Sequence, residues 1–298
     1  MTPATSDRLI LLGTKGGPAI RHGGAMPTSS MIDYAGRLFV FDCGLGVTRG
    51  LVEAGISLKR LDHIFVTHLH SDHVLELGPL IHTAWTTGLD TPVTVFGAAG
   101  TAAYWEAFLE SMSFDIGIRV EDEGRTPLDQ LVTVKPLSEG RVCATADLTV
   151  DALRVDHPPV EHCFALRIST AACTVVLSSD TAYFPPLGHF AKGADIIVHE
   201  AILPGCIDAL VAKTGLGEKL RAHLLASHTT ASDAGRIAAS SGAGTLVLNH
   251  LIPSDDPAFT HADWEREVRR TWQGNLIIGH DGLVLPLNGG PLSGGSSG

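Results

Sequence analysis

The chain has 298 residues, is 44% hydrophobic, and carries 32 Asp plus Glu against 21 Lys plus Arg, a formal charge of −11. Its length and apolar content suit one large α/β domain with a substantial core. The absence of any run of eighteen apolar residues excludes a membrane span, and the acidic balance, with no cluster of Lys and Arg, leaves nucleic acid as an unexpected partner.

The polar segment Met1 to Arg8 lacks the basic-then-apolar pattern of a secretory signal, so a cytoplasmic protein is expected. Apolar and β-branched runs predict strands at 8–13, 31–35, 38–42 and 62–66, with Gly36 turning the second into the third as a hairpin. Gly13, Gly16, Gly17, Gly23 and Gly24 are followed by neither a Lys-Ser/Thr end nor a dinucleotide fingerprint. They read as a turn that lets backbone pass close to a pocket. Helices are predicted over 46–56 and 73–88, a short buried strand over 93–96, and a helix over 100–112. Tyr104, Trp105, Phe108 and Leu109 give the last an apolar stripe, which reads as core. Residues 115–140 are polar and read as an irregular loop or small subdomain over the site. Further strands are predicted near 147–156, 163–169, 173–178, 196–198 and 245–248, and helices near 207–225, 231–241 and 262–273. Strands followed by helices, twice over, predict two packed mixed sheets with helices outside. The expected domain covers 1–288, and the Gly/Ser-rich tail at 289–298 has the composition of a flexible linker. Cys43, Cys143, Cys163, Cys173 and Cys206 are odd in number and contain no Cys-x-x-Cys pair, as expected of buried free thiols in a reducing compartment.

The run Thr67-His68-Leu69-His70-Ser71-Asp72-His73 follows the apolar segment Ile64-Phe65-Val66 directly. In an extended segment residues two apart point the same way, so His68 and His70 can grip one ion, while Asp72 and His73 can aim at a second where the chain turns. Imidazole and carboxylate donors suit zinc, with manganese or iron as alternatives, and the lack of cysteine in the run argues against a closed structural site. Two ions need about seven or eight protein contacts, so further ligands must lie at other strand ends. His157, Asp180 and His250 each follow or end an apolar run. His162, five residues beyond His157, competes for the same ligand position.

The His-rich run resembles the signature of the metallo-β-lactamase superfamily. Its companions are Leu12-Gly13-Thr14-Lys15-Gly16-Gly17-Pro18, Phe41-Asp42-Cys43-Gly44, and Ser178-Ser179-Asp180-Thr181 with Ser179 in place of the family's glycine. His199-Glu200-Ala201, Ser227-His228-Thr229-Thr230 and Leu248-Asn249-His250 resemble the later motifs of its ribonuclease Z and arylsulfatase-like branch. The resemblance spans about 8 to 287 and implies a four-layer αβ/βα sandwich of two mixed β-sheets flanked by helices. It places His68, His70 and His157 on one metal, Asp72, His73 and His250 on the other, and Asp180 between them. It favours His157 over His162 because the family's ligand precedes a Pro-rich turn, here Pro158-Pro159; His162 would then flank the ligands or line the pocket. It places Asp72, Glu200 and His228 in the catalytic set, with His228 as proton donor to the leaving group and Glu200 orienting it. The competing role for His228 is to cap the helix at 231–241. Asp42 would support the loop beneath the metals, and Cys163 is a candidate to border the pocket. His22, His63, His82, His189, His223, His261 and His280 show no such pairing and read as surface or core. Trp85, Met26 and Phe184 are candidates for the pocket wall, with ordinary packing as the alternative. The function implied is a di-zinc hydrolase whose metal-bound hydroxide attacks a small-molecule ester: a phosphodiester, aryl sulfate or carboxylic ester. A transfer-RNA 3′ processing endonuclease, a lactone or β-lactam hydrolase and a non-catalytic metal-binding protein are the alternatives. The resemblance also implies a homodimer.

Overall fold

The computed structural model describes residues 7–215 and 217–288. The tail at 289–298 and all but the end of the N-terminal segment lie outside the described residues. The first half of the chain supplies β1 (Arg8–Gly13), β2 (Ser29–Tyr34), β3 (Arg37–Phe41), β4 (Leu61–Val66), β5 (Val93–Gly97) and β6 (Val132–Pro136). The second supplies β7 (Gly140–Ala144), β8 (Leu148–Arg154), β9 (Phe164–Thr170), β10 (Thr174–Leu177), β11 (Ile196–Ile202), β12 (Thr245–Ile252), β13 (Asn275–Ile278) and β14 (Leu283–Pro286). They form two seven-stranded sheets, ordered β14-β1-β2-β3-β4-β5-β6 and β13-β12-β11-β10-β9-β8-β7. Each sheet is antiparallel at one end and parallel at the other: β14 to β3 and β7 to β10 pair antiparallel, β3 to β6 and β10 to β13 parallel.

Strands covered on both faces explain the continuous apolar runs. In β3 and β4, Phe39, Phe41 and Phe65 point between the sheets and meet Val150, Leu166, Val175 and Val198 of the second sheet. Phe65 stacks between Phe41 and Phe96, with ring centroids 5.2 and 5.1 Å apart. Their neighbours Leu38, Val40, Ile64 and Val66 face a helical layer with Leu51, Leu77, Leu80, Trp85 and Trp105. That layer comprises α1 (Val47–Glu53), α2 (Ser71–Val74), α3 (Leu77–Thr86), α4 (Thr101–Ser111), α5 (Ser113–Glu123) and α6 (Leu128–Leu131). On the second half follow α7 (Pro186–Phe190), α8 (Ile207–Thr214), α9 (Gly217–Ser227), α10 (Ala231–Ser241) and α11 (His261–Val268). Here Val176, Ile197 and Leu246 meet Ala234, Ile237 and Trp264. No helix among the described residues is long and apolar enough to cross a membrane.

The β2–β3 hairpin turns through Ala35 and Gly36, both at positive φ (50° and 77°), as the glycine predicts. Three expectations need correction. The single helix expected over 73–88 is α2 and α3, interrupted at 75–76. Residues 115–140 are not an irregular segment over the site: they hold most of α5, then α6 and β6. Ile116 and Val120 pack α5 against the helical layer, and Arg119 bonds both Asp115 and Glu123 one turn away. That surface polarity disguised a helix. The single helix expected over 207–225 is two, broken where Gly215 takes a left-handed φ of 70°.

Candidate metal centre

Five strand ends converge at one edge shared by both sheets. β3 delivers Asp42, β4 delivers the run from Thr67 to His73, β10 delivers Ser178 to Thr181, β11 carries Glu200, and β12 carries His250. The segment after β8 adds His157. The glycines of the first turn serve this convergence. A Cβ on Gly16 would lie 2.4 Å from Ile252 and 3.0 Å from the His250 ring. One on Gly44 would lie 2.4 Å from the Asp72 carbonyl oxygen. Backbone therefore passes where a side chain would not fit, and Gly17 N–H donates to Asp72 Oδ2 at 2.8 Å.

Three overlapping groups of donors result, each with its ligand atoms within 4.8 Å of one another: first His68, His70, His157 and Asp180, second Asp72, His73 and His250, and a third, Asp180, His228 and His250, that shares two members with the others. In the first, His157 Nε2 lies 3.1 Å from His70 Nδ1, and His68 Nε2 and His157 Nε2 each lie 3.8 Å from Asp180 Oδ2. In the second, His250 Nε2 lies 3.3 Å from Asp72 Oδ2 and His73 Nε2 lies 3.8 Å from the same oxygen. Asp180 reaches the second group as well, with Oδ1 3.3 Å from His73 Nε2 and Oδ2 3.1 Å from His250 Nε2.

Hydrogen bonds behind the cluster fix the ring tautomers. Thr67 Oγ1 donates its one proton to Asp42 Oδ2 at 2.9 Å, so His68 Nδ1 must donate to it at 3.2 Å. His73 Nδ1 donates to Asp42 Oδ2, and His157 Nδ1 donates to the Ser227 carbonyl, both at 2.8 Å. His68 and His157 are left with a bare Nε2 turned into the cluster, the arrangement a metal ligand requires, and His73 turns its Nε2 the same way. His68 Nε2, His73 Nε2, Asp180 Oδ1 and His250 Nδ1 are buried with no hydrogen-bond partner among the described residues. Such atoms each cost about 1–3 kcal/mol unless something satisfies them.

The electrostatics point the same way. Burial, with neighbouring imidazoles, keeps His68 well below the ordinary histidine range, and burial lowers His157 to about 4 although Asp180 and Ser227 oppose it. Both rings are thus neutral and able to ligate. Burial would also lower His73, but Asp180, Asp42 and Asp72 outweigh it and hold its pKa well above normal. The pocket therefore carries an excess of negative charge. Its nitrogen and oxygen donors, bare Nε2 atoms and orphaned polar atoms fit divalent cations.

Beside the cluster, His228 Nδ1 donates to Glu200 Oε2 at 3.0 Å, and Thr181 N–H donates to Glu200 Oε1 at 2.7 Å. Burial disfavours a charged His228, yet Glu200, with Asp180 and Asp72, raises it to about 9. Thr230, not His228, caps α10, accepting from Asp233 N–H at 3.1 Å. The cluster opens into a cleft of about 380 Å³. Gly16, Gly17, His70, Asp72, Asp180, His228 and His250 line it, and so do Leu210 and Thr214 of α8, Leu220, His223 and Leu224 of α9, and Ile252.

Every residue of the expected ligand and catalytic sets lies in this assembly. His162 does not: its side chain is exposed and lines neither the cleft nor the cluster. Cys163 touches the site from below, its Sγ 3.2 Å from the Asp180 carbonyl oxygen. Trp85 and Phe184 pack into cores, and Met26 lines a separate cleft. None of residues 115–140 lines the cleft; the α8–α9 pair does so instead. His223 of α9, expected as surface or core, is a cleft residue. The signal overlooked was its spacing from Leu220, Leu224 and Ser227, which puts all four on one helix face.

Two mixed sheets between helical layers, with a His/Asp cluster at their common strand ends, define a metallo-hydrolase of the metallo-β-lactamase fold. The chain belongs to the family described as anti-Pycsar protein Apyc1, whose model matches residues 8–247, within the ribonuclease Z-like branch of that superfamily. Ribonuclease Z of Mycolicibacterium gilvum (strain PYR-GCK) is 30% identical over 276 residues, 92% of this chain and 93% of the relative. That of Mycobacterium sp. (strain KMS) is 32% identical with the same coverage. Among solved structures, the metallo-β-lactamase fold protein YhfI of Bacillus subtilis aligns with a TM-score of 0.68 at 21% identity, covering 94% of this chain and 99% of that one. The short form of human tRNase Z aligns with a TM-score of 0.66 at 20% identity over the same shares. At these identities the two structures speak for the fold. The ribonuclease Z relatives correct one expectation: net negative charge does not set nucleic acid aside as a partner. Net charge averages over a whole surface, whereas a strand is gripped locally at its phosphates.

Proposed function

We propose that the chain is a metal-dependent phosphodiesterase. Its two divalent cations, zinc foremost, would be held by His68, His70 and His157 on one side and by Asp72, His73 and His250 on the other, with Asp180 shared. The observation that carries this reading is the reach of Asp180 to both donor groups, 3.1 Å from His250 Nε2 and 3.8 Å from His68 Nε2 and His157 Nε2. When bound, a cation pair lowers the pKa of water and neutralises charge on the oxygens of a displacement. Asp72 is steadied by the Gly17 N–H, which donates to Oδ2, the oxygen that faces His250 and His73, and so fixes the carboxylate toward the cluster. His228, held protonated by Glu200, stands at the cleft wall as proton donor to the departing oxygen. Glu200 orients it and is itself held by the Thr181 N–H.

A phosphodiester is preferred to a sulfate, carboxylic ester, lactone or β-lactam because the curated relatives are named as nucleases. The same names support a second reading, processing of precursor transfer RNA at its 3′ end. Five buried free cysteines support a reducing, cytoplasmic setting. The test compares metal-loaded with metal-stripped protein on an aryl phosphodiester, a ribodinucleotide, a precursor transfer RNA, an aryl sulfate and a carboxylic ester. Metal-dependent turnover of phosphodiesters above the other esters is expected. Faster turnover of the sulfate or the carboxylic ester would overturn the assignment.

A further inference from the structure

His223 stands in the cleft without a part in the chemistry above. It is half-buried on the face of α9 that also carries Leu220 and Leu224. Its ring centroid lies 5.9 Å from that of His228 and 6.4 Å from those of His70 and His157. It therefore stands one ring further from the cation positions than the donors themselves, on the side of the proton donor.

Its tautomer follows from a chain of hydrogen bonds. The Ser227 hydroxyl donates its one proton to the Pro158 carbonyl. That hydroxyl can then only accept from His223 Nδ1, 3.2 Å away, so Nδ1 carries the ring proton. Nε2 keeps a bare lone pair and makes no hydrogen bond among the described residues. The cleft thus offers a fixed acceptor next to the proton donor, on a wall it shares with Leu210, Thr214, Leu220 and Leu224.

We propose that His223 is a specificity-determining residue whose Nε2 accepts a hydrogen bond from a hydroxyl vicinal to the scissile ester oxygen, so that the cleft selects ribonucleotide over 2′-deoxyribonucleotide phosphodiesters. This rests on the phosphodiesterase reading. The ribose 2′-hydroxyl is attached one carbon from the 3′-ester oxygen, so with that oxygen towards His228 the hydroxyl is within reach of the His223 ring, 5.9 Å from His228 between centroids. The 2′-hydroxyl is the group by which a protein distinguishes RNA from DNA at a given residue. Leu220 and Leu224 flank the acceptor and provide an apolar surface for the sugar or base face.

The test uses the metal-loaded full chain as wild type, His223→Ala and His223→Gln. The substrates are an adenosine dinucleotide and its 2′-deoxy counterpart. Wild type should favour the ribose substrate by about tenfold in kcat/KM, as one neutral hydrogen bond allows. His223→Ala should bring the two substrates within about twofold, through a higher KM for the ribose form alone, with metal content unchanged. His223→Gln, which returns an acceptor near the Nε2 position, should recover part of the preference. A ribose preference that survives His223→Ala overturns the inference. Calorimetric titration with adenosine 3′-phosphate and 2′-deoxyadenosine 3′-phosphate separates this from the phosphodiesterase reading. If neither dinucleotide is cleaved, that reading fails; tighter binding of the ribose form, abolished in His223→Ala, would still sustain the role of His223. Equal affinity of wild type for the two monophosphates would refute it.

Discussion

At the scale of single residues, the site is built from groups whose second atoms are already committed. His157 spends Nδ1 on the Ser227 carbonyl, so His157→Ala removes both a proposed ligand and its fixed tautomer. We expect that variant to lose metal affinity by roughly an order of magnitude or more, and His162→Ala, whose side chain is exposed, to match wild type in metal titrations. For His228, the proposed role predicts a defect that depends on the leaving group. In a series of aryl phosphodiesters, His228→Ala should suffer most where the departing phenol is a weak acid and least where it is a strong one. A defect of constant size would show a positioning role only. Ser179 illustrates a different economy. It occupies the position where the superfamily pattern has glycine, and it does so at a left-handed φ of 56°. Its hydroxyl donates to Thr67 Oγ1 at 2.8 Å, which offsets part of the strain. Replacing it by alanine removes the bond and keeps the strain, whereas glycine removes both. Ser179→Gly should therefore be more stable than Ser179→Ala by about 1 kcal/mol in chemical denaturation, the reverse of what a regular strand would show.

At the scale of elements, connections rather than strands hold the cleft in shape. The turn after β1 is tied to the loop after β12 by Asp255, which accepts from Lys15 Nζ at 3.0 Å and Arg21 Nη1 at 2.8 Å. Lys15 is 4% and Asp255 11% exposed in their side chains. Burial alone would raise the Asp255 pKa, but Arg21 and Lys15 outweigh it and hold the carboxyl below its usual range. A depressed carboxyl contributes stability that is present above the unfolded carboxylate range and lost as pH falls through its folded value. Asp255→Asn should thus cost about 3 kcal/mol near neutral pH by stranding a buried ammonium. The difference should narrow as the pH falls below the ordinary carboxylate range, as paired denaturation curves would show. The turn itself was legible in its glycines, as were the strand ends at Asp180 and His250, because apolar runs ending in a donor leave few other readings. α5 was not, because its packing face, Ile116 and Val120, is narrow and Arg119 is surrounded by acids. β13 and β14 escaped as well: a four-residue strand offers too short a period to separate from loop. The contribution of α9 to the cleft depended on how two short helices fold back across the strand ends, which no local pattern encodes.

At the scale of the whole molecule, the donors come from both sheets: Asp42 and the His68–His73 run from one, Asp180, Glu200 and His250 from the other. Neither sheet holds a complete set. Metal binding and the packing of the two sheets should consequently be coupled, because the assembled donors exist only in the folded state. Chelation should lower Tm in scanning calorimetry, reflecting a loss of about 4 kcal/mol if free metal had been held a thousandfold above Kd. One folded chain is proposed to present two cation positions joined by Asp180. Elemental analysis by plasma mass spectrometry, after growth in metal-supplemented medium and desalting, tests it most directly. Two equivalents of divalent metal per chain are predicted, zinc foremost, with a marked fall in Asp180→Ala. A wild-type chain that retains less than one equivalent, or an Asp180→Ala variant that retains both, would contradict it.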